Sequence, residues 1–266
     1  MYLEYWGFER FPFDNVPDPD FFYLSRPHEE GLMRLSYAVE RRKGCALLSG
    51  DIGCGKTTLS RVFLRRISGK KYDVALVANP CLGPKQFLQD VLYRFGVSRV
   101  PASKVEVLRV LNERLNENLE KKRETVLIVD EAQLLSRATL EEIRLLLNYQ
   151  LSRRFLLTIF LLGQPELVEK IRRIRQMEQR VAIKYVLRPF RPEEIRDYIV
   201  FRQKQAGADR NVFGEGALEM IYEHSGGLPR SINNLCDLAL LLGCARKDSR
   251  IEPEVIKEIL DDGTIF

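Results

Sequence analysis

The stretch Gly50-Asp51-Ile52-Gly53-Cys54-Gly55-Lys56-Thr57-Thr58 constrains this chain more than any other. It matches G-x-x-x-x-G-K-[ST] at each fixed position, and its flanks fit as well. Cys45-Ala46-Leu47-Leu48-Ser49 reads as a short buried strand before it, and Leu59 to Leu64 as a helix after it. Glycines let the backbone curl until several N–H groups point at one anion. The helix that follows adds its positive dipole end and unpaired donors to the same anion. Strand, glycine-rich turn and helix in this order make a cradle for phosphate oxygens formed by residues 50–58. Lys56 would reach the outer phosphates of a nucleoside triphosphate such as ATP, and the Thr57 hydroxyl would ligate its Mg²⁺.

The pattern around this loop sets the fold class. Reading from Pro27, a helix to Arg42 precedes strand 45–49, helix 56–68, strand 73–78, and helices 84–95 and 103–121. Strand 125–130, helix 137–150, strand 155–162, helix 165–175 and strand 182–187 follow. Near-continuous apolar strands alternating with helices predict an α/β protein built on a parallel sheet covered on both faces. Beyond Pro189 the pattern changes to helices at 192–205, 214–225, 229–245 and 252–260, punctuated by Gly207, Gly214, Gly226-Gly227, Pro229 and Pro253. The expected organisation is an aromatic and proline-rich segment at 1–26, an α/β nucleotide-binding domain at 27–189 and a small all-helical lid at 190–266. The first segment reads as irregular chain whose rings, from Tyr5-Trp6-Gly7-Phe8 to Phe21-Phe22-Tyr23, must be buried against something.

Val126-Leu127-Ile128-Val129-Asp130-Glu131 is an apolar strand that ends in two carboxylates, about 75 residues after the glycine-rich loop. In a parallel sheet the C-terminal strand edge is where ligands bind. Asp130 would hold the Mg²⁺ shell and Glu131 would polarise the attacking water. Gln164, after the next apolar strand, is the candidate reporter of hydrolysis at the γ-phosphate. Arg230, set by Gly226-Gly227-Leu228-Pro229 at a helix start, could reach the same phosphate from the lid. Arg180 lies before the last strand and could project into a neighbouring subunit's site, with Arg175 as its competitor. Tyr23, Leu24, Ile195 and Leu228 are candidates for a flat apolar slot for adenine.

Charge and cysteines narrow the remaining classes. Forty-two Lys and Arg against 37 Asp and Glu leave a net charge of +5, which permits a nucleic-acid partner without pointing to one. The clusters Arg41-Arg42-Lys43, Arg65-Arg66, Lys70-Lys71 and Arg172-Arg173-Arg175 read first as solvated helix ends. No apolar run approaches the roughly 20 residues of a membrane helix. Five scattered cysteines form no C-x-x-C pair, which predicts reduced thiols and a cytoplasmic setting, with Cys54 read as accessible and oxidation-sensitive.

Together the loop, Asp130-Glu131, Gln164, Arg180 and a helical lid opening Gly-Leu-Pro-Arg resemble an AAA+ ATPase. The chain also resembles the ATPase domain of the secretion-pathway protein A family. The matching stretches are Tyr5-Trp6-Gly7-Phe8 with Pro12-Phe13, Pro17-Asp18-Pro19, Phe22-Tyr23-Leu24-Ser25, His28-Glu29-Glu30, Asp130-Glu131-Ala132-Gln133, Gly163-Gln164-Pro165-Glu166-Leu167 and Gly227-Leu228-Pro229-Arg230. ATPases that deliver transposition complexes to DNA share much of this layout. The resemblance implies a homo-oligomeric ring, a hexamer among the candidate sizes, completed by an arginine from the neighbour. It implies ATP turnover coupled to assembly of a secretion or pilus complex, with an inner-membrane protein as partner. The chain ends at Phe266 without the family's membrane helix or peptidoglycan-binding module, so it is expected to be a fragment or a standalone relative. Two alternatives stay open: a DNA-binding AAA+ regulator of transposition or replication, and a nucleotide-gated scaffold with little turnover.

Overall fold

The computed structural model describes residues 2–151 and 154–263. Positions 264–266 of the expected lid fall outside them. Tertiary contacts divide the chain into two compact units, Pro27–Ile52 with Leu59–Leu187, and Met1–Arg26 with Gly53–Thr58 and Arg188–Phe266.

The first unit is built on a five-stranded parallel sheet. Its strands are β1 (Cys45–Gly50), β2 (Tyr72–Val77), β3 (Glu124–Val129), β6 (Thr158–Gly163) and β7 (Val181–Leu187), ordered β2-β3-β6-β1-β7. β4 (Gln150–Leu151) and β5 (Arg154–Phe155) form a separate antiparallel pair. Burial follows position in the sheet. Every residue of β1 and β6 is buried, as is all of β3 after Glu124, whereas the edge strand β2 alternates. One face packs Leu47, Leu127, Val129, Ile159 and Leu161 against α4 (Pro84–Arg94), α5 (Lys104–Glu120), α6 (Arg137–Leu146) and α7 (Pro165–Arg172). On the other face Phe63 of α3 (Lys56–Arg66) meets Phe160 edge-on at 5.4 Å. Gly31 of α2 (Arg26–Glu40) comes close to Leu59 and Tyr185. At the open edge, Asp73 of β2 takes a two-pronged bond from Arg114 (2.7 and 2.9 Å) and a third from Asn118 (2.6 Å), tying α5 to the sheet.

Three local expectations fail here for tertiary reasons. Helix 137–150 stops at Leu146, because Gln150 pairs with Phe155 and Tyr149 accepts a hydrogen bond from Leu156. That same pairing removes residue 155 from the strand predicted over 155–162, which begins at Thr158. Helix 165–175 breaks at the buried Ile174, whose φ of −112° and ψ of 80° are not helical. A short α8 (Arg175–Glu178) continues from it.

The second unit is helical: α9 (Pro192–Gln205), α10 (Glu215–Ser225), α11 (Pro229–Arg246) and α12 (Pro253–Asp261). Residues 2–26 are more ordered than expected and belong to its core. Tyr2 and Trp6 lie on the buried side of a five-residue helix, α1 (Tyr2–Trp6), and Pro19–Phe21 forms a single 3₁₀ turn. Trp6, Phe8, Phe13 and Phe21 are buried with Phe190, Tyr198, Phe213 and Leu240. The indole Nε1 of Trp6 donates to the Leu240 carbonyl at 2.8 Å, and the Tyr2 hydroxyl donates to Asp237. Arg202 of α9 is only 7% exposed and donates to the carbonyls of Pro12 (2.6 Å), Asp14 (2.7 Å) and Phe21 (3.4 Å). Among the described residues no helix is long and apolar enough to cross a membrane.

Candidate functional site

β1 ends at Gly50 and α3 begins at Lys56, so the glycine-rich loop has a buried strand behind it and a helix N-terminus ahead. Gly53 (φ 82°) and Gly55 (φ 95°) both take left-handed backbone, the conformation that turns successive N–H groups inward. Lys56 is 6% exposed and its Nζ sits 3.8 Å from Cys54 Sγ. Cys54 is 1% exposed, which corrects its reading as accessible: the loop folds over the thiol. Of the remaining cysteines Cys81 is exposed, and burial pushes the Cys45 thiol up to about 12. Thr57 follows Lys56 in the first turn of α3.

Arg230 meets this loop within the helical unit. Its backbone N–H donates to the Gly53 carbonyl at 3.3 Å, and a Cβ on Gly53 would lie 2.7 Å from Arg230 Cβ. The glycine is therefore needed twice, for its φ and for this approach. The turn that delivers Arg230 is equally tight. Gly226 (φ 57°) and Gly227 (φ 76°) are left-handed, the Gly227 carbonyl accepts from Phe190 N–H at 2.9 Å, and a Cβ at Gly227 would collide with the Phe190 carbonyl oxygen. Of the residues read as an adenine slot, Tyr23 packs its ring against Phe190, Tyr198 and Phe201. Ile195 is fully buried and Leu24 is exposed.

The sheet unit carries the acidic pair. Asp130 directly follows β3 and is 4% exposed. Its Oδ1 accepts from Glu131 N–H at 3.0 Å. Glu131 adopts left-handed backbone (φ 50°, ψ 36°), a conformation unusual for a residue with a side chain and one that clusters at functional sites. Its carboxylate accepts from the Gln133 amide, Nε2 to Oε2, at 2.6 Å. The same amide's Oε1 accepts from the backbone N–H of Gln164 at 3.2 Å. Gln164 caps the start of α7, one residue beyond β6. Gln133 thus joins two predicted site residues, which its spacing alone gave no reason to expect. Arg180 lies just before β7 and donates to Asn148 Oδ1 at 3.0 Å, while Arg175 is exposed at the start of α8.

A parallel sheet of this strand order, with a glycine-rich loop after β1 and carboxylates after β3, defines a P-loop fold of the AAA+ class. The chain belongs to the AAA domain family, whose model matches residues 39–171. Over 257 residues it is 35% identical to the general secretion pathway protein A of Aeromonas hydrophila, an alignment covering 94% of this chain and 46% of that protein. The chain therefore spans less than half the length of that relative. Among solved structures it is similar to the Aeropyrum pernix ORC2 protein in ADPNP-ADP complexes (TM-score 0.71, 20% identity, 96% of this chain and 72% of that one). It is also similar to the Aeropyrum pernix ORC1 protein in complex with DNA (0.70, 20%, 96% and 69%). The Thermotoga maritima RuvB Holliday junction branch migration motor matches more distantly (0.60, 19%, 88% and 69%). At these identities the structural likeness is one of fold.

Proposed function

We propose that this chain is an ATP hydrolase that uses turnover to drive assembly of a secretion or pilus complex. The observation that carries the catalytic part is Glu131, held by backbone and by Gln133 directly after a metal-type aspartate. The identity to general secretion pathway protein A supports the secretion setting. The nucleotide-bound ORC2 of the same fold supports the cofactor.

In this reading residues 50–58 wrap the phosphates with backbone N–H groups, and Lys56 neutralises the outer ones. Thr57 and Asp130 offer oxygen donors only, the set that suits Mg²⁺ when phosphate oxygens and water fill its remaining positions. An ion held by Thr57 and Asp130 would supply positive charge to stabilise the phosphate oxygens. Glu131 takes the proton of the attacking water. Gln164 and Arg230 contact the γ-phosphate, and Arg230 moves with the loop because its backbone is tied to Gly53. Arg180 completes a neighbour's site in a homo-oligomeric ring, exchanging Asn148 for the neighbour's phosphate. Turnover per subunit should then rise with protein concentration. Arg180→Ala should remove that rise while nucleotide affinity stays within about twofold. Turnover that is flat with concentration, or an Arg180→Ala protein indistinguishable from the parent, would count against the trans arginine and leave Arg175 to be tested.

A second reading, an AAA+ regulator working on duplex DNA, is favoured by one observation. Four of the five strands of the parallel sheet are entered through basic residues. These are Lys70-Lys71 before β2, Lys121-Lys122-Arg123 before β3, Arg41-Arg42-Lys43 before β1, with Arg42 paired to Glu124, and Arg180 before β7. Five adjacent parallel strands put these turns along one sheet edge, roughly 19 Å wide. Lys122 even takes a left-handed backbone (φ 54°), a place where glycine or asparagine is favoured. ORC1, of the same fold, was solved with DNA. Anisotropy of labelled duplex DNA across a salt series decides it: a steep log-log slope favours this reading, and no binding at low salt removes it.

A further inference from the structure

The structure assigns to Gln133 a positioning role. We propose that its side-chain amide holds the Glu131 carboxylate in the water-activating pose and links that pose to the start of α7 at Gln164. The proposal rests on the reading of Glu131 as the catalytic base and adds a residue to it.

Three observations converge on the amide. Both of its ends are used: Nε2 donates to Glu131 Oε2 at 2.6 Å, and Oε1 accepts from Gln164 N–H at 3.2 Å. A backbone N–H can only donate and an ionised carboxylate can only accept, so the two partners fix which way the amide points. Space is reserved for it. A Cβ on Gly163 would lie 2.7 Å from Gln133 Oε1 and 3.2 Å from Gln133 N, so the glycine ending β6 is what lets the amide reach the strand end. The backbone carrying it is pinned as well. Lys170 of α7 donates its Nζ to the carbonyl of Gln133 and to that of Leu135, the latter at 2.9 Å, across the 3₁₀ turn Ala132–Leu134.

The consequence is a short path between Gln164, assigned to the γ-phosphate, and Glu131, assigned to the attacking water. When Gln164 follows the phosphate, its N–H moves the Gln133 oxygen. The rigid amide then shifts the nitrogen on Glu131. Glu131 itself takes a left-handed backbone, with its N–H donating to Asp130. A misplacement of about 1 Å of such a group is enough to cost on the order of a hundredfold in rate.

The test compares parent, Gln133→Ala and Gln133→Glu in steady-state ATP hydrolysis, with ATP affinity and thermal midpoint measured on the same samples. Gln133→Glu keeps the length of the side chain and the acceptor for Gln164 N–H, but turns a carboxylate toward Glu131. Both variants are expected to lose about 10- to 100-fold in kcat. KM and ATP affinity should stay within about twofold, and the melting transition should remain cooperative. A purely structural glutamine would instead lower affinity and stability together with rate. If Gln133→Ala fails to fold, Gln133→Glu decides alone. A kcat within about threefold of the parent in Gln133→Glu overturns the proposal, as does a fall in kcat matched by an equal loss of ATP affinity. A parent that turns over no faster than Lys56→Ala overturns the underlying reading and this proposal with it.

Discussion

Glu131→Gln is expected to bind Mg²⁺-ATP as tightly as the parent and to hydrolyse it at least about a hundredfold more slowly. The substitution keeps the size and hydrogen-bonding reach of the side chain and removes only its ability to take a proton. A positioned general base contributes typically 10²–10⁴-fold, and the adjacent carboxylate is not a substitute: Asp130 is buried and already accepts from the Glu131 backbone. Single-turnover hydrolysis after nucleotide loading separates the effect from binding. A rate within about threefold of the parent would remove Glu131 from the chemistry. A parent with negligible turnover, assembling just as Glu131→Gln does, would instead favour the nucleotide-gated scaffold.

The largest effect on stability is expected at Arg202. Its guanidinium satisfies three carbonyls of the N-terminal segment and stacks 4.8 Å from the centre of the Phe21 ring. Arg202→Ala leaves the buried Pro12 and Phe21 carbonyls without this donor beside a packed aromatic core and opens a void under Phe21. Each buried acceptor so orphaned costs roughly 1–3 kcal/mol, so a loss of about 3 kcal/mol or more is expected, read as a lower denaturation midpoint. Arg202→Lys should recover less than half of it, because an ammonium cannot fork to several carbonyls from one plane. A change below about 1 kcal/mol in Arg202→Ala would show that the N-terminal segment holds its place without this residue.

What could be read from sequence was what depends on local chemistry. The glycine-rich loop is legible because the φ values at Gly53 and Gly55 and the lysine at the helix start are demanded together within nine residues. Asp130-Glu131 is legible because a continuous apolar run must end at a sheet edge. Arg230 was placed by the constraints of Gly226, Gly227 and Pro229. What escaped depends on distant partners. Tyr2 and Asp237 are 235 residues apart, so nothing local announces the helix Tyr2–Trp6 or the core it joins. The antiparallel pairing of β4 with β5 overrode a helix and a strand that were each plausible on periodicity. Gln133 was visible only as the fourth residue of a family match, because its importance lies in where its two ends reach. Cys54 is buried, against its local sequence, because a loop that curls to aim its N–H groups inward also encloses its own side chains.

The central claim is that residues 50–58 and Asp130-Glu131 make a working ATP site. Phosphate release by the purified chain at saturating Mg²⁺-ATP, beside Lys56→Ala at the same concentration, tests it most directly. The account predicts steady release from the parent that stops when Mg²⁺ is chelated, and background only from Lys56→Ala. Equal release from the two proteins, or none from either at any protein concentration, would contradict it.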